Sequence, residues 1–395
     1  MDNRAIRYGL PRTVVALGLV SLCNDAASEM VVPLLPLFLT ATLGAGPAIV
    51  GLIEGVAEAT ASILKVVSGR LADRGFGARR LVLSGYAASG IARPAIGLAL
   101  GWAWVLALRF MDRVGKGLRT APRDAMIAAA VPGRLLGRAF GFHRAMDHAG
   151  AVIGPLAAFA LLMSGADIGH VFLWSIVPGI VVLVIIMLGV PADAPVAPVT
   201  GPRLEFRALD RRLRALLVAA GILAFASLPE AFLVLWAASA GVEVAWIPLL
   251  WSLASAVKMA VAWPSGWLSD HVGRIPVLLG GWSLRIAILV TLALAGATGP
   301  WAWVLFVAYA AALAVNEAPE RSLIGDVAPA ALRGTAFGVF HFMGGMFALP
   351  GAVLLGVIWQ EVGAPAAFIT AAAVTAVGAT AMAALIPRSL WKPQA

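Results

Sequence analysis

Gly69-Arg-Leu-Ala-Asp73 returns as Gly266-Trp-Leu-Ser-Asp270, 197 positions further along the chain. Ala121-Pro122-Arg123 returns as Ala318-Pro319-Glu320, and Ala139-Phe140-Gly141 as Ala336-Phe337-Gly338, both at that same offset. Three matches at one spacing mark a tandem repeat. Long apolar stretches surround them, separated by short charged loops. A helix needs roughly 20 apolar residues to cross the hydrocarbon core, so 395 residues accommodate about twelve. Hydrophobic residues make up 61% and charged residues 12%, where a soluble domain carries about 25% charged. The sequence therefore reads as an all-α membrane protein with about twelve transmembrane helices in two six-helix pseudo-repeats. Such halves are related by an axis along the membrane normal, with a site between them.

Helices are expected at 13–40, 47–72, 80–100, 102–124, 135–164 and 168–190, then at 214–240, 244–270, 275–296, 299–325, 332–360 and 364–387. This gives an N-terminal half at 1–190, a cytoplasmic linker at 191–213 and a C-terminal half at 214–395. The linker opens with Pro191, Pro195, Pro198 and Pro202, which cannot continue a helix. Its basic stretch, Arg203 to Arg214, fits either an amphipathic helix on the anionic inner leaflet or a solvated linker. The basic segment Met1–Arg12 precedes an apolar run that reaches Thr40 and holds Asp25 and Glu29. That reads as an uncleaved first helix and not as a signal peptide.

The formal charge of +9 falls in alternate loops: Arg4, Arg7 and Arg12; Arg74, Arg79 and Arg80; Arg134 and Arg138; Arg203 to Arg214; Arg274; Arg333; Arg388 and Lys392. The opposite loops, near Gly44, Gly101, Asp167, Glu243, Gly299 and Glu361, have no Lys or Arg. The positive-inside rule then expects a multi-pass protein of the plasma membrane, the cell inner membrane of a bacterium, with both termini cytoplasmic. Basic residues interleaved with aromatics, as single-strand binders use them, are absent, so no nucleic-acid partner is expected. The single cysteine, Cys23, permits no intramolecular disulfide and no CxxC site, and reads as a packed helix residue.

Gly69-Arg-Leu-Ala-Asp-Arg74 resembles the signature of the major facilitator superfamily, G-x-L-A-D-R-x-G-R-K. It departs after Arg74, with glycines at 75 and 77 and the basic pair one residue late, at 79 and 80. The repeat carries Asp270, Gly273 and Arg274. The resemblance assigns Gly69, Asp73, Arg74, Asp270 and Arg274 to gating, through charge contacts made in one conformation and lost in the other. Arg109-Phe-Met-Asp-Arg-Val-Gly-Lys-Gly117 is similar to the family's R-F-L-Q-G-L-G-A-G, with Asp112, Arg113 and Lys116 as added charges. At about 100° per residue, Arg109, Asp112, Arg113 and Lys116 share one face of a helix. Gly141, Gly150 and Gly154-Pro155 resemble the family's antiporter pattern, with Ala158 in place of its last glycine. In the family that pattern accompanies export in exchange for protons; tight helix packing with no bearing on direction is the alternative.

Ionisable residues inside a bilayer face a cavity or a partner. Asp25 and Glu29 stand one turn apart on the first helix, and no Lys or Arg occurs between Arg12 and Lys65. Two nearby acids in a low dielectric resist double ionisation. With Glu54 and Glu58 on the second helix, they are the candidates for proton coupling. Arg109, Asp112, Arg113, Lys116, Arg144 and Asp147 are the candidates for binding a substrate with an anionic group. Arg93, Glu230, Lys258, Arg285, Glu317, Glu320 and Arg321 are further membrane charges, and structural ion pairing is the alternative for any one of them. His143, His148 and His341-x-Met343-x-x-Met346 invite a soft-metal reading. The two former lie about 140° apart on a helix, so no metal site is assigned and metal transport stays a lower alternative.

The sequence contains no HExxH, GxSxG or nucleotide loop, so no enzyme and no cofactor is expected. It reads as a secondary active transporter of a small organic solute, expected to be a monomer in a lipid bilayer, exporting its cargo by proton-coupled antiport. Proton-coupled uptake of an anionic or zwitterionic nutrient is the alternative, with a channel or scramblase below it.

Overall fold

The computed structural model describes residues 6–7, 10–73, 77–132, 136–191, 211–294, 299–327, 333–386 and 391, with backbone alone at 6–7, 66, 69–70, 72–73, 136–138, 211–213, 215, 263, 325, 327 and 333–338. Apart from a two-residue pairing of Ile6–Arg7 with Leu10–Pro11, its regular structure is helical. In order come α1 Arg12–Val31, α2 Leu35–Leu37, α3 Pro47–Asp73, α4 Ala78–Ile96, α5 Trp102–Ala129, α6 Leu136–Met163, α7 Ile168–Trp174 and α8 Ile176–Gly189. Then follow α9 Arg211–Phe225, α10 Glu230–Ser239, α11 Ile247–Val272, α12 Arg274–Leu294, α13 Pro300–Val327, α14 Arg333–Glu361 and α15 Ala364–Leu385. Ten helical stretches among the described residues are long and apolar enough to cross a membrane. α4 and α5, with 19 and 28 residues, are also long enough to span. Their arginines keep them out of that group.

Proline divides three of the expected helices. The first, expected over 13–40, ends at Val31 ahead of Pro33 and Pro36, and resumes as one turn of α2 and a π-helical turn, Phe38–Thr42. The sixth and seventh break at a common spacing. A proline ring clashes with the carbonyl four residues back. Pro178 lies four residues after Trp174, where α7 ends, and Pro229 lies four after Phe225, where α9 ends. The chain leaves the helix over 226–229. Backbone groups freed inside hydrocarbon need a partner. Arg285 Nη2 donates to the Ala226 carbonyl at 3.1 Å, and the Tyr309 hydroxyl to that of Leu228 at 3.4 Å.

The chain divides into two compact units. One comprises Met1–Phe38 and Thr60–Pro202, the other Leu39–Ala59 and Arg203–Ala395. α3 contributes to both. In the second unit a Cβ added to Gly55 would meet Leu349 of α14 at 2.8 Å, and one on Gly356 would meet the Pro47 carbonyl at 2.8 Å. In the first unit the later part of α3 touches α5, where Ser68 Oγ donates to the Gly117 carbonyl at 2.7 Å. Outside the spans, Asp167 caps α7: the His170 backbone N–H donates to it at 2.8 Å. That bond holds the Asp167 carboxyl below the usual carboxylate range.

Each unit repeats the other's packing. A Cβ on Gly154 of α6 would lie 3.0 Å from Cα of Ala26 in α1; 197 residues on, one on Gly351 of α14 would lie 3.0 Å from Cα of Phe225 in α9. Likewise Gly85 of α4 meets Arg119 of α5, while Gly281 of α12 meets Asn316 of α13. Small residues allow helix backbones this close.

Candidate functional site

α5 is the most charged helix, and four of its charges, Arg109, Asp112, Arg113 and Arg119, are buried. Asp112 is 0% exposed. Arg93 of α4 reaches it with Nε at 2.9 Å from Oδ1; Arg109 Nη1 and Arg113 Nε lie 3.6 and 3.5 Å from Oδ2. The three arginines are also buried. Gly85 and Gly115 make this possible, because a Cβ on Gly115 would lie 3.2 Å from the Ser89 backbone nitrogen. α4 and α5 therefore approach closely enough for Arg93 to cross between them. Ser89 Oγ donates to the Asp112 carbonyl at 3.1 Å. Arg119 Nη1 donates to Ser89 Oγ at 2.6 Å, and its guanidinium lies 4.6 Å from the Tyr86 ring centroid. Lys116, expected on the same face, is exposed.

Arg93 extends this network to α1. Its Nη1 donates to the Asn24 carbonyl at 3.1 Å and to Asn24 Oδ1 at 3.0 Å; Asn24 Nδ2 donates to Asp25 Oδ1 at 2.9 Å. One turn earlier on α1, Ser21 Oγ donates to Asp147 of α6. Asp147 Oδ2 also lies 3.3 Å from Arg144 Nη1 and 3.5 Å from His143 Nδ1. The glycine pattern of α6 sets this register. A Cβ on Gly150 would lie 2.9 Å from Cβ of Asp25, and Gly154 abuts Ala26, while Gly141 faces open space. Pro155 is buried without breaking α6. Glu29 is half-buried one turn beyond Asp25. Glu54, half-buried, and Glu58, exposed, stand on the part of α3 that packs with α14.

The second unit keeps its own charges. Glu230, at the start of α10, pairs with Lys258 Nζ of α11 at 2.5 Å, and that ammonium lies 5.5 Å from the Trp251 ring. Of the expected gating residues, Arg274 contacts Asp270, donates from Nη1 to Ser269 Oγ at 2.8 Å, and reaches Asp326 Oδ2 from Nε at 3.1 Å. Arg74, the surroundings of Gly69 and the Asp73 side chain lie outside the described residues.

Sequence reasoning gathered Arg109, Asp112 and Arg113 by helical periodicity. It counted Arg93 among the further membrane charges without joining it to Asp112, and it did not bring in Ser89 or Arg119.

The sequence model of the Major Facilitator Superfamily matches residues 17–351. An uncharacterized MFS-type transporter of Methanocaldococcus jannaschii is 29% identical over 359 residues, covering 89% of each chain. An uncharacterized protein of Mycobacterium tuberculosis is 29% identical over 381 residues, covering 88% of this chain and 87% of its own. Among solved structures, a peptide transporter of the POT type in complex with sulfate superposes with a TM-score of 0.79 at 15% identity, over 98% of this chain and 97% of its own. A bacterial homologue of the human lysosomal transporter Spinster superposes with a TM-score of 0.74 at 16% identity, over 96% and 95%. At such identities the likeness is one of fold.

Proposed function

The chain belongs to the major facilitator superfamily and is a multi-pass membrane transporter of that type; from that premise we propose that it exports a small organic solute bearing an anionic group, by alternating access, in exchange for protons. The observation that carries this reading is the buried cluster of Arg93, Arg109 and Arg113 around Asp112. Arginine forks match carboxylate and phosphate oxygens, so such a group on the solute can share these arginines with Asp112. Lys116, exposed beside them, adds attraction for an approaching anion. Arg144 and Asp147 border the same region. Asp25, Glu29, Glu54 and Glu58 are the candidate coupling acids in this reading. The packing of Gly150 and Gly154 on α1 supports the outward direction through its likeness to the antiporter pattern. Arg274 with Asp270, and Gly69, Asp73 and Arg74 in the first half, serve as gates. In this reading both termini lie in the cytoplasm, which the arginine-rich loops support, and the protein works as a monomer in the plasma membrane.

Ligand-dependent thermal stability of the purified protein tests the binding part. A ligand at about 100 times its Kd stabilises by about 2.7 kcal/mol. In a panel of small carboxylates, phosphates and their neutral analogues, at least one anion raises the melting temperature and its neutral analogue does not. Arg113→Ala weakens that anion's effect at least tenfold. Equal stabilisation by anion and neutral analogue, in wild type and variant alike, overturns the reading.

A further inference from the structure

Asp25 of α1 and Asp147 of α6 both stand on the seam between these two helices. We propose that the exchangeable proton of this transporter is held by a carboxyl pair, Asp25 of α1 with Asp147 of α6, beside the buried imidazole of His143. The inference deepens the proton-coupled reading above and rests on it.

Three observations converge. First, α1 and α6 touch at their backbones. Gly150 meets Asp25 where a larger residue would collide, and Gly154 meets Ala26 one turn on. Second, Ser21 and Asp25 are one turn apart on α1, and Asp147 and Gly150 nearly so on α6. With Ser21 on Asp147 and Asp25 on Gly150, the helices run side by side in register, and the two carboxyls occupy neighbouring levels of one seam. Third, His143 is 1% exposed, its Nδ1 faces Asp147 at 3.5 Å, and its Nε2 has no hydrogen-bond partner.

The surrounding charges define what each acid can do. α4 presents Arg93, which is bound to Asp112 and Asn24. α5 presents Lys116, Arg119, Arg123 and Asp124; Arg123 pairs with Asp124 at 2.9 Å and Arg119 binds Ser89. α6 presents His143, Arg144 and Asp147, and Arg144 sits on Asp147. α1 itself adds Glu29, while α8 has no ionisable residue and α7 only the exposed His170. Asp25, half-buried, has one hydrogen bond, from the neutral amide of Asn24, and no ion pair among the described residues. Asp147 is paired with Arg144 and accepts from Ser21, so in this proposal the proton of the pair belongs on Asp25. When Asp25 releases it to water, the seam holds two carboxylates. Gly150 and Gly154 are positioning residues for this pair, which gives the glycine pattern a chemical purpose beyond close packing.

The test needs no substrate. Infrared difference spectra of the purified protein, recorded as pH is changed, report the C=O stretch of a protonated carboxyl. The wild type gives a band that disappears as pH rises. Asp25→Asn removes it. Asp147→Asn keeps the band and shifts the pH at which it disappears by about one unit or more, equivalent to about 1.4 kcal/mol of interaction. Glu29→Gln leaves that pH unmoved. Gly150→Ala, which spreads the seam, shifts it as Asp147→Asn does. A band that survives Asp25→Asn, or one whose pH responds to Glu29→Gln and not to Asp147→Asn, overturns the pair. Because Asp147→Asn and Gly150→Ala are read through a band that persists, misfolding of Asp25→Asn does not hide the answer. In proteoliposomes, transport indifferent to a pH gradient would refute the coupling reading while leaving the infrared assignment standing, so the two failures are told apart.

Discussion

Asp112 is the residue on which the first unit's charges depend. Removing one partner of a buried ion pair leaves the others uncompensated, at a cost of about 3–5 kcal/mol. Asp112→Asn keeps the shape and removes the charge from beside Arg93, Arg109 and Arg113. The variant is therefore expected to lose stability by about that amount, read as a lower melting temperature in detergent. A melting temperature equal to wild type would mean that the arginines are balanced without Asp112. At this scale the sequence was partly legible. Spacing alone put Arg109, Asp112 and Arg113 on one face. It could not bring in Arg93, whose reach to Asp112 depends on how closely Gly85 and Gly115 let α4 approach α5. Nor could it suggest the proposed pair: the nearer acid along the chain is Glu29, and only the α1–α6 seam brings Asp147, bound by Ser21, to the side of α1 where Asp25 meets Gly150.

Helices were the most legible elements, because a long apolar run admits few other structures in a membrane. The expected spans at 47–72, 102–124 and 364–387 correspond to α3 Pro47–Asp73, α5 Trp102–Ala129 and α15 Ala364–Leu385. The breaks at Ser175 and at 226–229 were written in Pro178 and Pro229, but Pro94, Pro155 and Pro264 lie inside helices that continue. What separates the two outcomes is tertiary. At 226–229, Arg285 and Tyr309 supply the donors that an interrupted helix needs. The α1–α6 seam makes the element-scale prediction. Gly154→Leu places a side chain into the backbone of Ala26, with nothing flexible to yield. Overpacking of this kind costs about 1–3 kcal/mol or more. The variant is expected to melt lower and to cross-link less between Cys23 and a cysteine introduced on α6. Gly141→Leu, facing open space, is expected to do neither. Equal behaviour of the two variants would contradict the seam.

Across the whole molecule, the 197-residue repeat is visible in the sequence and again in packing, where Gly154 meets Ala26 and its counterpart Gly351 meets Phe225. The repeated scaffold carries unlike chemistry. Arg123 of the first half stands where the second half has Glu320, and Asp112 where it has Tyr309. The first unit therefore concentrates arginines around one carboxylate, while the second pairs Glu230 with Lys258 and spends Arg285 on a broken helix. The solute was not legible at any scale, because in the proposed reading the arginine forks select an anionic group and no residue pattern describes the rest of the molecule. The central claim, proton-driven export of an anionic solute, is tested most directly by flux in everted vesicles made acid inside. With the anion that stabilises the purified protein, the account predicts saturable accumulation that alkalinises the lumen, stops when a protonophore is added, and is lost in Arg113→Ala. Accumulation that ignores the protonophore and rises linearly with concentration would contradict it.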